Sequence, residues 1–182
     1  MLDAREALPV KEAAEGTKPR SVRTRTPRKE FPAERPRGPG LKIPLMFTRK
    51  DASPFDEIEW EKRKESITDD KGATVFTQDD VEVPKPWSML ATNVVASKYF
   101  YGAVGTEQRE RSVRHLVHRV CRTIADLGIH KGCFASPEDG EAFYNELACA
   151  CVNQYGSFNS PVWFNVGLYQ VYGYSSNSRT SF

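Results

Sequence analysis

Long apolar runs are missing from this sequence of 182 residues. A membrane-spanning helix needs roughly 20 consecutive apolar residues, and no stretch of the sequence approaches that length. The N-terminus, MLDAREALPV, also has no long apolar core behind a basic start, so we expect no secretory signal. We therefore predict a cytoplasmic protein without a membrane partner.

Cysteine is sparse as well, with four in the chain: Cys121, Cys133, Cys149 and Cys151. Their spacing suggests no disulfide framework, which is typical of a reduced protein. Cys149 and Cys151 form a CxC pair on a predicted helix. Residues two apart on a helix point about 200° from each other, so these sulfurs cannot share one metal ion.

Familiar catalytic motifs are also missing. The sequence has no GxxxxGK[ST], GxGxxG or GxSxG, which argues against a phosphate-binding loop and a nucleophile elbow. His115 and His118 share a helix face, but arginines crowd that region and no glutamate lies between them. We interpret them as solvated surface, and His130 as a turn residue without a visible partner. Local spacing thus indicates no catalytic group and no metal site.

Charge is present but unevenly distributed. The formal net charge is +2, yet residues 1–50 hold 13 Lys and Arg against 6 Asp and Glu. Residues 1–40 are basic, rich in proline and poor in apolar side chains, so we predict a disordered head. Two interpretations stay open for this head: an arm that contacts nucleic acid or an acidic partner, and a solvated leader.

The remaining pattern predicts a mainly α fold with a small β-hairpin, in the α+β class. Ser53-Pro54-Phe55-Asp56 has the form of a helix start, and Lys71-Gly72 that of a hairpin turn. In chain order we expect a short helix from Phe55, a hairpin over 66–83 ended by Pro84 and Pro86, helices over 87–101, 106–127 and 136–155, and a buried strand at 162–164.

The inward faces of the three later helices follow from apolar spacing. The first should bury Leu90, Val94 and Val95. The second, capped by Thr106 and ended by Gly128, has a regular 3.6-residue apolar face. That face consists of Val113, Leu116, Val117, Val120, Cys121, Ile124 and Ala125. The third, capped by Ser136, should bury Phe143, Leu147, Ala150 and Cys151, and end at Gly156.

Ser160 is the candidate binding residue. Pro161 favours an extended conformation for Ser160, at the mouth of the predicted strand Val162-Trp163-Phe164. A hydroxyl and a backbone amide in such a place can bind an oxygen atom of a ligand. From the residues alone, simple strand initiation is the competing interpretation.

Three separated blocks resemble one known family. PFDEIEW at 54–60, VEVPKPWSMLATNVVASKYFYG at 81–102 and CVNQYGSFNSPVWFNVGLY at 151–169 are similar to the N-terminal region of the adenosylcobalamin-dependent, class II ribonucleotide reductases. The resemblance covers about residues 41–173 and leaves 174–182 as an irregular polar tail. It implies radical reduction of ribonucleotides to deoxyribonucleotides for DNA synthesis, with adenosylcobalamin as cofactor in the complete enzyme.

The resemblance also carries expectations about structure and site. It implies that residues 162–164 lead into the first strand of a ten-stranded α/β barrel that this chain lacks. It implies a substrate-binding role for Ser160, and no catalytic residue, because the family's catalytic cysteines follow this segment. We therefore expect a fragment of a ribonucleoside-diphosphate reductase that is inactive alone, although triphosphate substrates stay open. The isolated chain should expose Val162, Trp163 and Phe164.

The expected partners also follow from the resemblance. They are a ribonucleotide substrate and allosteric nucleotides in the complete enzyme, with a homodimer and a weak nucleic-acid contact through the basic head as further expectations. Two other functions stay open: a separate nucleic-acid-binding module, and a regulatory module that docks on a full-length reductase.

Overall fold

The computed structural model describes residues 38–68 and 70–173. The predicted basic head, except for residues 38–40, and the predicted polar tail at 174–182 lie outside these residues. The described fold is α+β. Its elements are strands β1 (Trp60–Thr68) and β2 (Thr74–Pro84), helix α1 (Met89–Val94), a π-turn (Val95–Tyr99), and helices α2 (Val113–His130), α3 (Pro137–Val152), α4 (Ser160–Asn165) and α5 (Leu168–Tyr172). None of the described helices is long and apolar enough to span a bilayer.

The predicted hairpin is confirmed, and its strands are longer than expected. β1 and β2 pair antiparallel from Trp60 opposite Pro84 to Thr68 opposite Thr74. Gly72 lies in the turn with a φ of 80°, a left-handed conformation that favours glycine. Pro84 ends β2 because it has no N–H for a further ladder bond.

The predicted helix from Phe55 is wrong. The capping pattern is formed, since the Ser53 N–H donates to Asp56 and the Phe55 N–H donates to the Ser53 hydroxyl, but it closes only a turn. The charged residues after it belong to β1. Lys62 and Lys64 alternate outward and pair with Asp80 and Asp79 of β2 at 3.8 and 3.1 Å. Pairing with β2 therefore overrides the local helix preference.

The apolar face of α2 is confirmed, but its ends differ from the prediction. The seven predicted residues are buried, except Ile124, which is partly buried against the same core. Ser112 caps the helix by accepting the Arg114 N–H at 3.0 Å, whereas Thr106 lies in a preceding turn. The helix continues through Gly128 to His130, so His130 is the last helical residue and not the predicted turn residue. Gly128 lies against the Phe134 ring, with no room for a Cβ atom.

Helix α3 begins as predicted, with Ser136 accepting the Asp139 N–H at 3.2 Å. It ends at Val152, earlier than Gly156. Of the predicted inward residues, Cys151 is buried, and Phe143, Leu147 and Ala150 are only partly buried, whereas Tyr144 and Ala148 are buried without having been predicted. The inward face is therefore rotated from the predicted one.

The inward face predicted for residues 87–101 is wrong for Leu90 and Val94 but confirmed for Val95, which packs against the core. Leu90 is 74% exposed and Val94 40% exposed, whereas Thr92 and Ala96 are fully buried; Val95 is partly buried. The burial of Thr92 has a polar cause, because its hydroxyl accepts a 2.7 Å hydrogen bond from Arg63 of β1. That contact turns a polar residue of α1 toward the hairpin and the apolar residues Leu90 and Val94 outward.

The predicted strand at 162–164 is also wrong. Residues 160–165 form α4, with Pro161 in its first turn, where a missing N–H costs no helical hydrogen bond. The described sheet consists of β1 and β2, which pair with each other, so the segment joins no described sheet. The expected apolar exposure holds for Phe164, at 45%, but Trp163 is buried and Val162 partly buried.

A buried ion pair holds the C-terminal segment to the core. Arg119 of α2 and Glu110 are each 2% exposed, and Arg119 Nε donates to Glu110 Oε1 at 2.7 Å. The same guanidinium donates to the carbonyl oxygens of Val166 at 2.6 Å and Trp163 at 3.3 Å. Glu110 also accepts the Tyr172 hydroxyl at 3.0 Å. The pair thus satisfies its own charges and fixes α4 and α5.

Gly167 allows Arg119 to lie close to the link between α4 and α5. It joins α4 to α5 with a φ of 83°, and a Cβ at this position would lie 2.5 Å from Arg119 Cγ. Glycine therefore meets both a conformational and a steric requirement here.

Removing the arginine should destabilise the fold strongly. Arg119→Ala leaves Glu110 buried and unpaired, which costs on the order of 3–5 kcal/mol in the free energy of unfolding. Arg111→Ala, at an exposed site, is the control and should change stability by less than about 0.5 kcal/mol. Urea unfolding of both variants measures the difference, and equal stabilities would contradict the anchoring role.

Residues 41–48 are tied to α3 by two carboxylates. Asp139 accepts the Ile43 N–H at 2.8 Å, and Glu146 accepts the N–H groups of Phe47 and Thr48 and the Thr48 hydroxyl. The Ile43 hydrogen bond lowers the pKa of Asp139 below its ordinary 3.8. Burial alone would raise the pKa of Glu146, but its hydrogen bonds lower it below 4.5.

These shifts predict an acid-sensitive attachment. A carboxyl with a lowered folded-state pKa stabilises the fold above its unfolded pKa and loses that contribution as pH falls through the folded pKa. Asp139→Ala should therefore lower the urea midpoint at neutral pH, and this effect should shrink progressively as the pH falls below the ordinary pKa of 3.8. Glu138→Ala, at the exposed neighbouring position, is the control. A pH-independent effect of Asp139→Ala would contradict the assignment.

Candidate functional site

Ser160 is the first residue of α4 and is half-buried. Its hydroxyl oxygen lies 3.0 Å from the hydroxyl oxygen of Tyr99, within hydrogen-bonding distance. The expected extended backbone belongs instead to the preceding residue, Asn159, which has a φ of −71° and a ψ of 161°. The structure therefore presents the Ser160 hydroxyl from a helix start, next to a tyrosine that local sequence spacing did not indicate.

The π-turn brings Tyr99 to this place. Val95–Tyr99 continues α1 with a wider turn, closed by the Phe100 N–H donating to the Val95 carbonyl oxygen at 3.2 Å. Such turns are rare in α-helices and often occur at functional sites. The Tyr99 ring also packs on Phe164, with ring centroids 5.1 Å apart. Both contacts position the tyrosine against α4.

Beside this pair lies a cleft of about 430 Å³ between α1, α2, the end of α3 and α4. Trp87, Tyr99 and Trp163 line it together with mostly aliphatic residues and a few uncharged polar ones, and none of the lining residues carries a formal charge. The two tryptophans are fixed by their indole N–H groups, which donate to the Val152 carbonyl oxygen at 2.8 Å and to the Ser157 hydroxyl at 3.3 Å. The cleft is therefore a preformed apolar surface.

The chemistry available here is binding through hydroxyl groups. One hydroxyl of the Ser160–Tyr99 pair donates to the other, so one proton and several lone pairs remain for a ligand. The uncharged lining does not suit a phosphate group, which needs cations or aligned N–H groups. The pair can hold a neutral oxygen-bearing group, and any phosphate must lie away from the cleft.

One of the four cysteines, Cys151, lines the cleft, and its contact with Cys121 lowers the pKa of its thiol. All four are free; Cys121, Cys149 and Cys151 are buried, and Cys133 is half-buried. Cys121 and Cys151 face each other between α2 and α3, and this contact together with burial raises the pKa of Cys121. Cys149 instead points toward Asn153, whose amide donates to its sulfur at 3.4 Å. The two sulfurs of the CxC pair thus point apart, as predicted.

The histidines also lie away from Ser160. His118 pairs with Tyr144, the ring nitrogen Nδ1 lying 2.7 Å from the hydroxyl oxygen. Burial and the nearby charges of Arg122 and His115 lower the pKa of His118. Over residues 38–68 and 70–173, no group of three or more His, Cys, Asp and Glu side chains could hold a metal ion.

Tyr99 is the site residue that spacing and motifs did not reveal. It lies 61 positions before Ser160, so no local pattern joins the two. The signal that could have suggested it is its place in the block 81–102, which carries part of the family resemblance.

Comparisons with known proteins give one consistent result. The family described as "Class II vitamin B12-dependent ribonucleotide reductase" matches residues 61–154, just over half of the chain. Vitamin B12-dependent ribonucleotide reductases of Rhodopirellula baltica, Streptomyces coelicolor and Agrobacterium fabrum are 53%, 47% and 30% identical to it. Each alignment covers 73% of this chain.

The same alignments cover only 13–14% of those three relatives. The chain therefore spans a small part of their length, and most of each relative's polypeptide lies outside the match. The family match begins within β1 and ends two residues after α3, so it includes the hairpin, the π-turn and the two long helices of the core. The chain belongs to the class II vitamin B12-dependent ribonucleotide reductase family and corresponds to its N-terminal region.

Proposed function

We propose that this chain is the N-terminal part of an adenosylcobalamin-dependent ribonucleotide reductase that reduces ribonucleoside diphosphates for DNA synthesis. The observation that carries the proposal is the 53% identity to the Rhodopirellula baltica enzyme across 135 residues. In this proposal the described domain supplies a rigid platform, whereas substrate reduction occurs in a complete enzyme. The ribonucleotide and the allosteric nucleotides bind that complete enzyme.

The cofactor belongs to the complete enzyme rather than to this domain. The family name implies vitamin B12, but the described residues do not fit it. The cleft of about 430 Å³ is at the small end of the range for drug-sized ligands, and cobalamin is larger. Its many amide groups would also need many polar partners, and the mostly apolar lining offers few, such as Ser88, Gln154 and Ser157.

The positions of the cysteines support inactivity of the chain alone. Ribonucleotide reduction needs a reductant that delivers two electrons, and in proteins a pair of accessible thiols can supply them. Cys121 and Cys151 are close together, but Cys121 is fully buried and Cys151 reaches only the wall of the cleft, so the two thiols are not accessible to a nucleotide as a pair. Cys133 lies in the connection between α2 and α3, Cys149 lies on α3, and both are free.

Purified chain should therefore show no nucleotide reduction when adenosylcobalamin and a dithiol are supplied. The assay measures deoxyribonucleotide formation, with the complete Rhodopirellula baltica enzyme as the positive control. Product above the level found without protein would refute the proposed inactivity.

Within this function we assign Ser160 a substrate-binding role, with Tyr99 as its positioning residue. The support is geometric: a half-buried hydroxyl at the start of α4 is oriented by a second hydroxyl 3.0 Å away. Tyr99 is itself fixed by the π-turn and by Phe164. Because the lining beside this pair is uncharged, Ser160 binds a neutral oxygen of the substrate, such as a sugar hydroxyl, rather than a phosphate.

A chimeric enzyme tests this role, with residues 38–173 of this chain replacing the matched region of the Rhodopirellula baltica reductase. Ser160→Ala should lower kcat/KM roughly tenfold, equivalent to one lost hydrogen bond of about 1.4 kcal/mol. Ser160→Thr keeps a hydroxyl and should restore much of that loss. Tyr99→Phe should raise KM more than it lowers kcat, because it removes only the orienting contact.

Ser66→Ala is the matched control, since Ser66 is an exposed serine on β1. Thermal unfolding of every variant separates lost binding from lost folding. An active chimera whose kinetics are unchanged by Ser160→Ala would refute the assignment of Ser160.

A further inference from the structure

We propose that the apolar cleft and its rim form the docking surface for an apolar segment of the catalytic part of the reductase. This inference rests on the proposed function, because it requires a complete enzyme around the domain. We define the apolar face as Leu90, Val94 and Phe164 together with the cleft beside them.

The apolar face is contiguous. Leu90 and Val94 lie one helical turn apart on α1 and both line the cleft. Phe164 packs against Tyr99, another lining residue, from the side of α4. The three side chains are 74%, 40% and 45% exposed. A connected group of exposed apolar side chains around a concave surface is typical of an interaction site rather than of scattered surface residues.

Internal packing explains why α1 exposes these residues. α1 uses Thr92 and Ala96 for its inward contacts, and Arg63 holds Thr92 against the hairpin. A helix that buries threonine and alanine while exposing leucine and valine has a second apolar side available for another surface. Trp87 and Trp163, which line the cleft, are fixed by hydrogen bonds, so the apolar face is formed before anything binds.

The chemistry of the cleft restricts its occupant. A nucleotide phosphate is unsuited, because no lining residue is charged. A two-fold contact between copies places the same face on both partners, so it would need the rim of each copy to enter the cleft of the other. An apolar protruding segment from another part of the polypeptide needs only one cleft and one complementary projection. Most of the polypeptide of the related reductases lies outside the match, and that part can supply such a segment.

Footprinting with a photogenerated carbene compares the surface in two proteins: the 182-residue chain and the chimeric reductase defined above. Labelling of Leu90 should fall roughly tenfold in the chimera if it becomes as buried as a core residue. Phe164 should also be protected. Val75, which is 65% exposed on the hairpin, is the internal reference and should label equally in both.

A pair of matched substitutions gives an independent test. Leu90→Glu and Leu127→Glu each place a carboxylate at an exposed leucine, so neither should shift the unfolding midpoint of the isolated chain by much. In the chimera, Leu90→Glu should lower the unfolding midpoint clearly more than Leu127→Glu. Equal midpoints for the two chimeras would overturn the docking surface.

The outcomes separate this inference from the proposed function. A chimera that reduces nucleotides but labels Leu90 as freely as the isolated chain refutes the docking surface and leaves the proposed function standing. A protected Leu90 in a chimera that folds but does not reduce nucleotides supports docking and contradicts the function. If sedimentation shows that the isolated chain is a dimer and Leu90→Glu makes it a monomer, the occupant is a second copy and the inference is wrong.

Discussion

The buried pair of Arg119 and Glu110 is the interaction on which the arrangement of the C-terminal half depends. Two charges with almost no solvent exposure are tolerated because each is fully paired, and the guanidinium also binds main-chain carbonyl oxygens of α4 and of the link to α5. Glu110 in turn binds the Tyr101 N–H and the Tyr172 hydroxyl. One ion pair thus connects α2, the segment before it and the last two helices.

That connection determines where the candidate site forms. Because α4 is held against α2, Ser160 reaches Tyr99 at the end of the π-turn, and Trp163 closes one side of the cleft. The aromatic contacts of Tyr99 with Phe164 and of Trp163 with Phe158 then fix the side chains around it. The site is consequently a product of long-range packing rather than of a local motif.

The described residues combine a core held by a buried ion pair with an apolar face that these same residues leave exposed. The sequence relation of the chain is to reductases of much greater length, and the described part holds no accessible thiol pair and no site that fits the cofactor. These features agree with a supporting role, in which the domain positions a hydroxyl and offers a docking surface. In the proposed function, the radical chemistry of the family belongs to the remainder of a complete enzyme.

Local signals in the sequence determined several parts of this fold. The spacing of apolar residues predicted the buried face of α2, Ser136-Pro137 predicted the start of α3, and Lys71-Gly72 predicted the hairpin turn, since each depends on neighbouring residues. The three resembling blocks also identified the family, which the comparisons confirmed.

Tertiary structure decided the rest. The capping pattern at Ser53 closed only a turn because β1 pairs with β2, and α1 turned Leu90 outward because Arg63 binds Thr92. The apolar segment 162–164 became part of a helix. Arg119 of α2 donates to its Trp163 carbonyl oxygen, and no described strand forms backbone hydrogen bonds with it. The sequence by itself determined the features that depend on residues a few positions apart: the apolar face of α2, the start of α3 and the hairpin turn. Contacts between residues far apart in the chain decided which faces are buried and where Ser160 meets Tyr99.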